Sequence, residues 1–209
     1  MSNLNYSELL AILSHNLDNN DKNRYFIALS GPPASGKSTI SENIADDLSS
    51  KGYQSNVLQM DGFHYDDKIL KDKNLISKKG APETFDVMGL ANFLSRLKTE
   101  PEVTIPIFDR SLELSRSSAL IIPKETKVIV TEGNYLLLNS KPWNILQKFF
   151  DSSIMIHCEE KILEKRLLDR WKNFNLSKNE IHQKVYENDL PNGVNVIKNS
   201  LIADYYLVN

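Results

Sequence analysis

The chain carries one cysteine, Cys158, in 209 residues. A lone thiol excludes an internal disulfide and any zinc site built from cysteines, and it fits a reducing compartment. No apolar stretch approaches the roughly 18 residues that a membrane span requires. Met1–Asn20 has no basic segment leading into an apolar run, so it does not read as a signal peptide. These absences lead us to expect a cytoplasmic protein. Neither sign of charge dominates: 25 Lys and Arg stand against 27 Asp and Glu, a net charge of -2. Such a balance gives no reason to expect nucleic acid or an anionic membrane as the main partner. Repeats, low-complexity tracts and Pro/Gly/Ser-rich linkers are also missing. With 41% hydrophobic and 25% charged residues, the expectation is one α/β domain over 1–209.

Periodicity alternates between strand and helix. Tyr6–Leu17 places Leu9, Leu10, Leu13 and Leu17 at helical spacing, and a polar loop to residue 23 closes this N-terminal segment. Arg24–Ser30 is a compact apolar run that ends at a glycine, hence a buried strand. Ser38–Ser50 reads as a helix. Asn56–Met60, Lys127–Thr131, Ser153–His157 and Asp204–Val208 read as strands, as does Val103–Phe108, where Pro106 argues for an edge or a strand end. Val87–Lys98, Pro142–Phe150 and Lys161–Lys172 read as helices. Ser177 and Glu180 form a capping box that opens another helix through Val185. Cys158, Trp143, Trp171 and His157 read as packing residues. Phe63–Pro82 is polar, lysine-rich and aperiodic, a loop or a partly helical flap. This alternation predicts a doubly wound parallel sheet of about five strands with helices on both faces.

Between the first buried strand and the helix after it stands Gly31-Pro32-Pro33-Ala34-Ser35-Gly36-Lys37-Ser38, the pattern G-x-x-x-x-G-K-[ST]. Gly31 and Gly36 permit backbone torsions closed to other residues. The loop can then aim several N–H groups at one anion, backed by the positive end of the following helix. Lys37 would reach the β- and γ-phosphates and Ser38 would hold Mg²⁺. Gly31, Pro32, Pro33, Ala34, Ser35, Gly36, Lys37, Ser38 and Thr39 are therefore the expected ATP-binding residues.

Five further segments come after it in order. Met60-Asp61-Gly62-Phe63-His64 ends the second strand, where a carboxylate can orient or deprotonate an attacking alcohol, and Asp61 is the candidate base. His64 either contacts substrate or satisfies a local hydrogen bond. Pro82-Glu83-Thr84-Phe85-Asp86 leads into the Val87 helix, which Asp86 is placed to cap. Pro106-Ile107-Phe108-Asp109-Arg110 is succeeded by Glu113 and Arg116, with Asp109 and Arg110 open to a structural ion pair. Val128–Thr131 runs into Glu132-Gly133, a buried strand ending in an acid. Glu164–Arg170 puts Arg166 and Arg170 on one helix face.

In this order the segments resemble the phosphoribulokinase/uridine kinase family of P-loop kinases, and within it the nucleoside/nucleotide-kinase-like proteins described as sugar- or fructose-transport kinases. The resemblance implies the nucleoside-kinase type of P-loop NTPase fold. It also implies that Asp61, His64, Asp86, Phe108, Asp109 and Arg110 face the phosphoryl acceptor. Glu132 would fix Mg²⁺ partly through water. Arg166 and Arg170 would belong to a lid, around 162–178, that joins Lys37 and Asp61 in catalysis. Uridine kinases carry a base-reading histidine after the Asp109 segment; here Glu113 lies in that neighbourhood, which sets uracil or cytosine recognition in question.

The expected activity is transfer of the γ-phosphoryl group of Mg·ATP to an alcohol of a nucleoside-like or sugar-like metabolite. A pantothenate-like alcohol kinase is the rival within enzymes. A nucleotide-hydrolysing regulatory protein without an acceptor is the rival of another class; the guanine-reading Asn-Lys-x-Asp element and any Cys/His metal cluster are missing. The oligomeric state is open.

Overall fold

The computed structural model describes residues 3–174 and 176–209. Met1 and Ser2 of the N-terminal segment, and Asn175 of the expected lid, lie outside the described residues. The chain runs β1 (Asn3–Leu4), α1 (Tyr6–Asp18), β2 (Tyr25–Ser30), α2 (Lys37–Ser50), β3 (Ser55–Gln59), α3 (Asp67–Asp72) and α4 (Val87–Thr99). It continues through β4 (Val103–Asp109), β5 (Leu114–Ile122), β6 (Val128–Gly133), β7 (Ser152–His157) and α5 (Glu160–Lys172). It closes with α6 (Lys178–His182), α7 (Leu190–Asn199) and β8 (Tyr205–Val208).

Six strands form one parallel sheet in the order β1-β8-β7-β2-β6-β3. The expected count of about five becomes six through the two-residue β1, too short to carry a periodic signal. Strand β2 is buried at every position, as a strand covered on both faces must be. Its alternation sorts the core into two layers. Phe26 and Ala28 join Leu58, Met60 and Ile129 under α4 and Trp143. Ile27 and Leu29 join Val130, Ile154 and Ile156 under α1 and α2.

The segment Val103–Phe108 is a strand but not part of this sheet. It pairs antiparallel with β5 as a separate two-stranded ribbon, and its register shifts between Ile105 and Ile107. Pro106 has no N–H to give a ladder, so the irregularity falls on it. β5 escaped sequence reading because Leu114–Ile122 is mostly exposed and rich in serine.

Two helical expectations change. Pro142–Phe150 is a 3₁₀ turn, Trp143–Phe149, that tucks Trp143, Leu146 and Phe149 into the core. The helix expected to stop at Val185 continues as a π-helical stretch, Gln183–Asp189, and passes directly into α7. Asn188–Asn192 is therefore helical. Pro191, which has no N–H, sits in the first turn of α7 just after the widened turns, where an α-helical bond to it could not form.

Arg24, at 8% exposure, anchors the start of β2. Its guanidinium donates to the main-chain carbonyls of Leu97, Glu100, Pro101, Pro123 and Thr126. It so joins the end of α4 to the turn before β6. Among the described residues, no helix is long and apolar enough to cross a membrane.

Candidate active site

The loop from Gly31 to Gly36 leaves the centre of the sheet, between β7 and β6, where ligands gather in open α/β sheets. Gly36 takes φ +90° and Ala34 φ +62°. The left-handed turn lets the chain double back so that α2 opens at Lys37. Gly31 is required by closeness: a Cβ there would meet Ser35 Oγ at 2.9 Å and Ile156 Cβ at 3.1 Å. A cleft of about 240 Å³ opens over the loop, floored by Pro33, Ala34, Gly36, Lys37, Ser38 and Thr39. Gly31, Pro32 and Ser35 form the underside of the loop rather than its lining.

Across this cleft stand Asp61, Arg110, Glu132 and Arg170. Glu132 reaches it because β6 pairs in register with β2 and β3, setting Glu132 beside Leu29 and Gln59 at the strand ends. Its Oε1 accepts a hydrogen bond from Ser38 Oγ at 3.2 Å. Burial, reinforced by the Asp61 carboxylate, holds the Glu132 carboxyl above the usual carboxylate range. Burial acts oppositely on Lys37 and lowers its ammonium pKa; its Nζ donates to Pro32 O at 2.9 Å. Both side chains are buried at the foot of the cleft, where each favours the charged form of the other.

Asp61 sits in a 3₁₀ turn, Met60–Phe63, directly after β3. Gly62 lets the ribbon lie against this turn: a Cβ there would come within 2.7 Å of Pro106 O. Ser115 Oγ also donates to Gly62 O. The ribbon brings Arg110 over the site, where Nη2 donates to Asp61 Oδ2 at 3.0 Å.

A second, smaller cavity of about 80 Å³ adjoins the first. Pro33, Asp61, Arg110, Asn134 and Arg170 line both. His64, Phe85 and Phe108 make its aromatic wall, the His64 ring stacked 3.9 Å from Phe85 and tilted against Phe108 at 5.1 Å. Burial lowers the His64 pKa to about 4, so the ring is neutral at physiological pH.

The other expected acceptor residues lie elsewhere. Asp86 caps α4, its Oδ1 accepting from Gly89 N at 2.8 Å, and it lines neither cavity. Asp109 turns to its own ribbon, bonded to Ser111, Leu112 and Arg116. The Asp109–Arg110 ion pair is replaced by two others, Asp109–Arg116 and Arg110–Asp61. The lid arginines also part company. Arg170 faces both cavities. Arg166 lies behind the loop, against Ala34 O at 3.3 Å and Cys158 Sγ at 3.8 Å.

Sequence reasoning missed Lys79, Trp171, Lys184 and Asp189, all in the second cavity. Trp171 is a wall residue rather than packing, and its Nε1 donates to Asp189 Oδ2 at 2.7 Å. His157, also read as packing, is exposed. The flap over this cavity is held by Tyr135, whose hydroxyl donates to Gly80 O, and by Asn188, whose amide donates to Lys79 O.

The sequence profile of the phosphoribulokinase/uridine kinase family matches residues 26–198. The chain belongs to that family. An uncharacterized Escherichia coli K12 protein, YggC, is 35% identical over 189 residues, which cover 88% of this chain and 78% of that protein. The crystal structure of a candidate fructose transport system kinase from Silicibacter sp. TM1040 superposes with a TM-score of 0.90 at 35% identity, over 99% of each chain. The pantothenate kinase of Enterococcus faecalis is 28% identical over 151 residues, 70% of this chain but 49% of that protein. The fold is that of the P-loop kinases, and the chain is a small-molecule kinase, a phosphotransferase with an alcohol group as acceptor.

Proposed function

We propose that this kinase transfers the γ-phosphoryl group of Mg·ATP to an alcohol of a nucleoside-like or sugar-like metabolite, with residues 1–209 acting as one kinase unit. The observation that carries this reading is the pair of adjoining cavities that share Asp61, Arg110 and Arg170. A nucleotide-hydrolysing switch needs only the first cavity. A kinase needs both, with a carboxylate and a cation at the border.

ATP would lie with its phosphates over the Pro33–Thr39 floor, where the main-chain N–H groups of the loop and the start of α2 converge. The donors fit Mg²⁺: Ser38 Oγ and Glu132 Oε1 are hard oxygen ligands 3.2 Å apart beside the phosphate floor. No cluster of three or more His, Cys, Asp or Glu able to hold a metal exists among the described residues, as suits an ion that keeps waters and phosphate oxygens for most of its shell. The bound ion neutralises charge on the phosphates. Lys37 leaves Pro32 O for the phosphates, where a bound anion favours its charged form. Asp61 exchanges Arg110 for the acceptor hydroxyl, orients it and accepts its proton. The freed Arg110 and Arg170 stand where charge develops on the transferring group. Segment 162–178 acts as the lid that excludes water, with Arg170 its contributing arginine and Arg166 a support of the loop from behind.

The test is ADP release with Mg·ATP against a panel of nucleosides, pentoses, hexoses and pantothenate, with Lys37→Ala as the blank. Acceptor-stimulated turnover that Lys37→Ala abolishes is the expected result. Asp61→Asn should keep ATP binding and lose on the order of 10²–10⁴ in turnover. Slow hydrolysis that no acceptor stimulates would refute the reading. A pantothenate-like alcohol is the second reading, favoured by the likeness to pantothenate kinases.

A further inference from the structure

Glu113 combines three features that seldom meet in one side chain. It is the last turn residue before β5 and takes φ +52°, a left-handed conformation that strains a non-glycine residue. Its Oε1 is buried with no hydrogen-bond partner among the described residues. It lines the second cavity together with His64, whose buried Nδ1 is likewise unpartnered. Unsatisfied buried polar atoms and left-handed non-glycine residues both concentrate at functional sites.

The surroundings fix what these atoms can recognise. Lys79 is already committed: its Nζ donates to Asp67 Oδ1 at 2.7 Å and to the main-chain oxygen of Glu113 at 2.6 Å. That second bond holds Glu113 in its strained turn. Arg110 is paired with Asp61. Just behind this wall the unpartnered groups are a carboxylate oxygen and one nitrogen of a neutral imidazole, both closed to solvent until their side chains turn toward the cavity. Both suit O–H or N–H groups of a ligand, and neither stabilises a second negative charge. Arg170 and Lys184 lie toward the Trp171 side, each stacked on the indole.

Taking the second cavity as the acceptor site, we propose that Glu113 is the acceptor-reading residue. Its free carboxylate oxygen accepts a hydrogen bond from a hydroxyl or amine of an uncharged, hydroxyl-rich acceptor, and it rejects acceptors that place a carboxylate or phosphate on that wall. The strained turn and the unpaired oxygen are kept because the acceptor supplies the missing partner.

The experiment compares wild type with Glu113→Gln on neutral acceptors (uridine, ribose, fructose) and anionic ones (pantothenate, glycerate) with Mg·ATP. Wild type should favour a neutral acceptor. Glu113→Gln should raise the KM for it more than tenfold, lower kcat by less than that, leave the KM for ATP in place, and shift relative kcat/KM at least tenfold toward anionic acceptors. Thermal unfolding of Glu113→Gly adds a readout independent of acceptor. Glycine relieves the positive φ, so the Tm should hold or rise. A lower Tm in Glu113→Gly, an unmoved acceptor KM in Glu113→Gln, or a wild-type preference for anionic acceptors would each overturn the inference while leaving the kinase reading intact. An enzyme that transfers to no alcohol at all takes both down together.

Discussion

Lowering the pH should destabilise this protein by way of His64. The ring has a pKa of about 4 in the folded chain against an ordinary value of 6.5, chiefly because it is buried. A histidine with a depressed folded pKa costs nothing above the unfolded value. As the pH falls below 6.5, the unfolded chain takes up a proton that the folded chain refuses, and stability drains until pH reaches the folded value near 4. Between pH 8 and pH 5 this one linkage removes about 2 kcal/mol. The assay is urea unfolding of wild type and His64→Gln at both pH values. His64→Gln cannot take the proton and should lose about 2 kcal/mol less than wild type over that interval, even though it forfeits the stacking on Phe85 at every pH. All other titrating groups are common to the two proteins and cancel. Equal pH dependence in the two would refute both the burial argument and the neutral imidazole assigned to the acceptor wall.

Arg24→Ala should lower stability by about 3–5 kcal/mol, seen as a lower urea midpoint, because five carbonyls lose one charged donor. Gly62→Ala should cost about 1–3 kcal/mol and depress turnover more than ATP binding, since the new Cβ pushes Pro106 and the ribbon off the Asp61 turn; unchanged acceptor kinetics would contradict that placement. Glu132→Gln should abolish transfer, read as loss of acceptor-stimulated ADP release, and it leaves the buried Lys37 ammonium without the carboxylate that favours its charge. Trp171→Phe should cost about 1–3 kcal/mol by leaving Asp189 without its indole donor, read as a lower Tm.

The parts of the molecule that were legible in sequence are those whose cause is local. β2, β6 and β7 are apolar runs because both faces are covered, and the loop before α2 needs glycines at fixed spacing whatever surrounds it. Glu132 and Asp61 line one cleft because a parallel sheet gathers the C-terminal ends of its strands, and the residues just beyond them, at one rim. Asp109 and Asp86 were expected at the acceptor, and in this structure their carboxylates are held by the ribbon and the start of α4. A ribbon hydrogen bond and a helix cap are short-range competitors for a carboxylate, and each won. Lys79, Lys184 and Asp189 had no local mark at all. A lysine in a polar flap and an acid inside a helix become cavity walls only when the chain folds the flap and the π-helical stretch against each other. Glu113 was visible as a departure from the uridine-kinase pattern, but its positive φ and unpaired oxygen belong to the folded turn.

The ribbon of β4 and β5 shares no ladder with the six-stranded sheet. Arg110 and Glu113 therefore ride on a detachable tool head, while Lys37, Ser38 and Glu132 are welded to the chassis. Exchanging 109–116 for another hairpin would retool which alcohol is gripped without unstitching one bond of the sheet that carries the nucleotide.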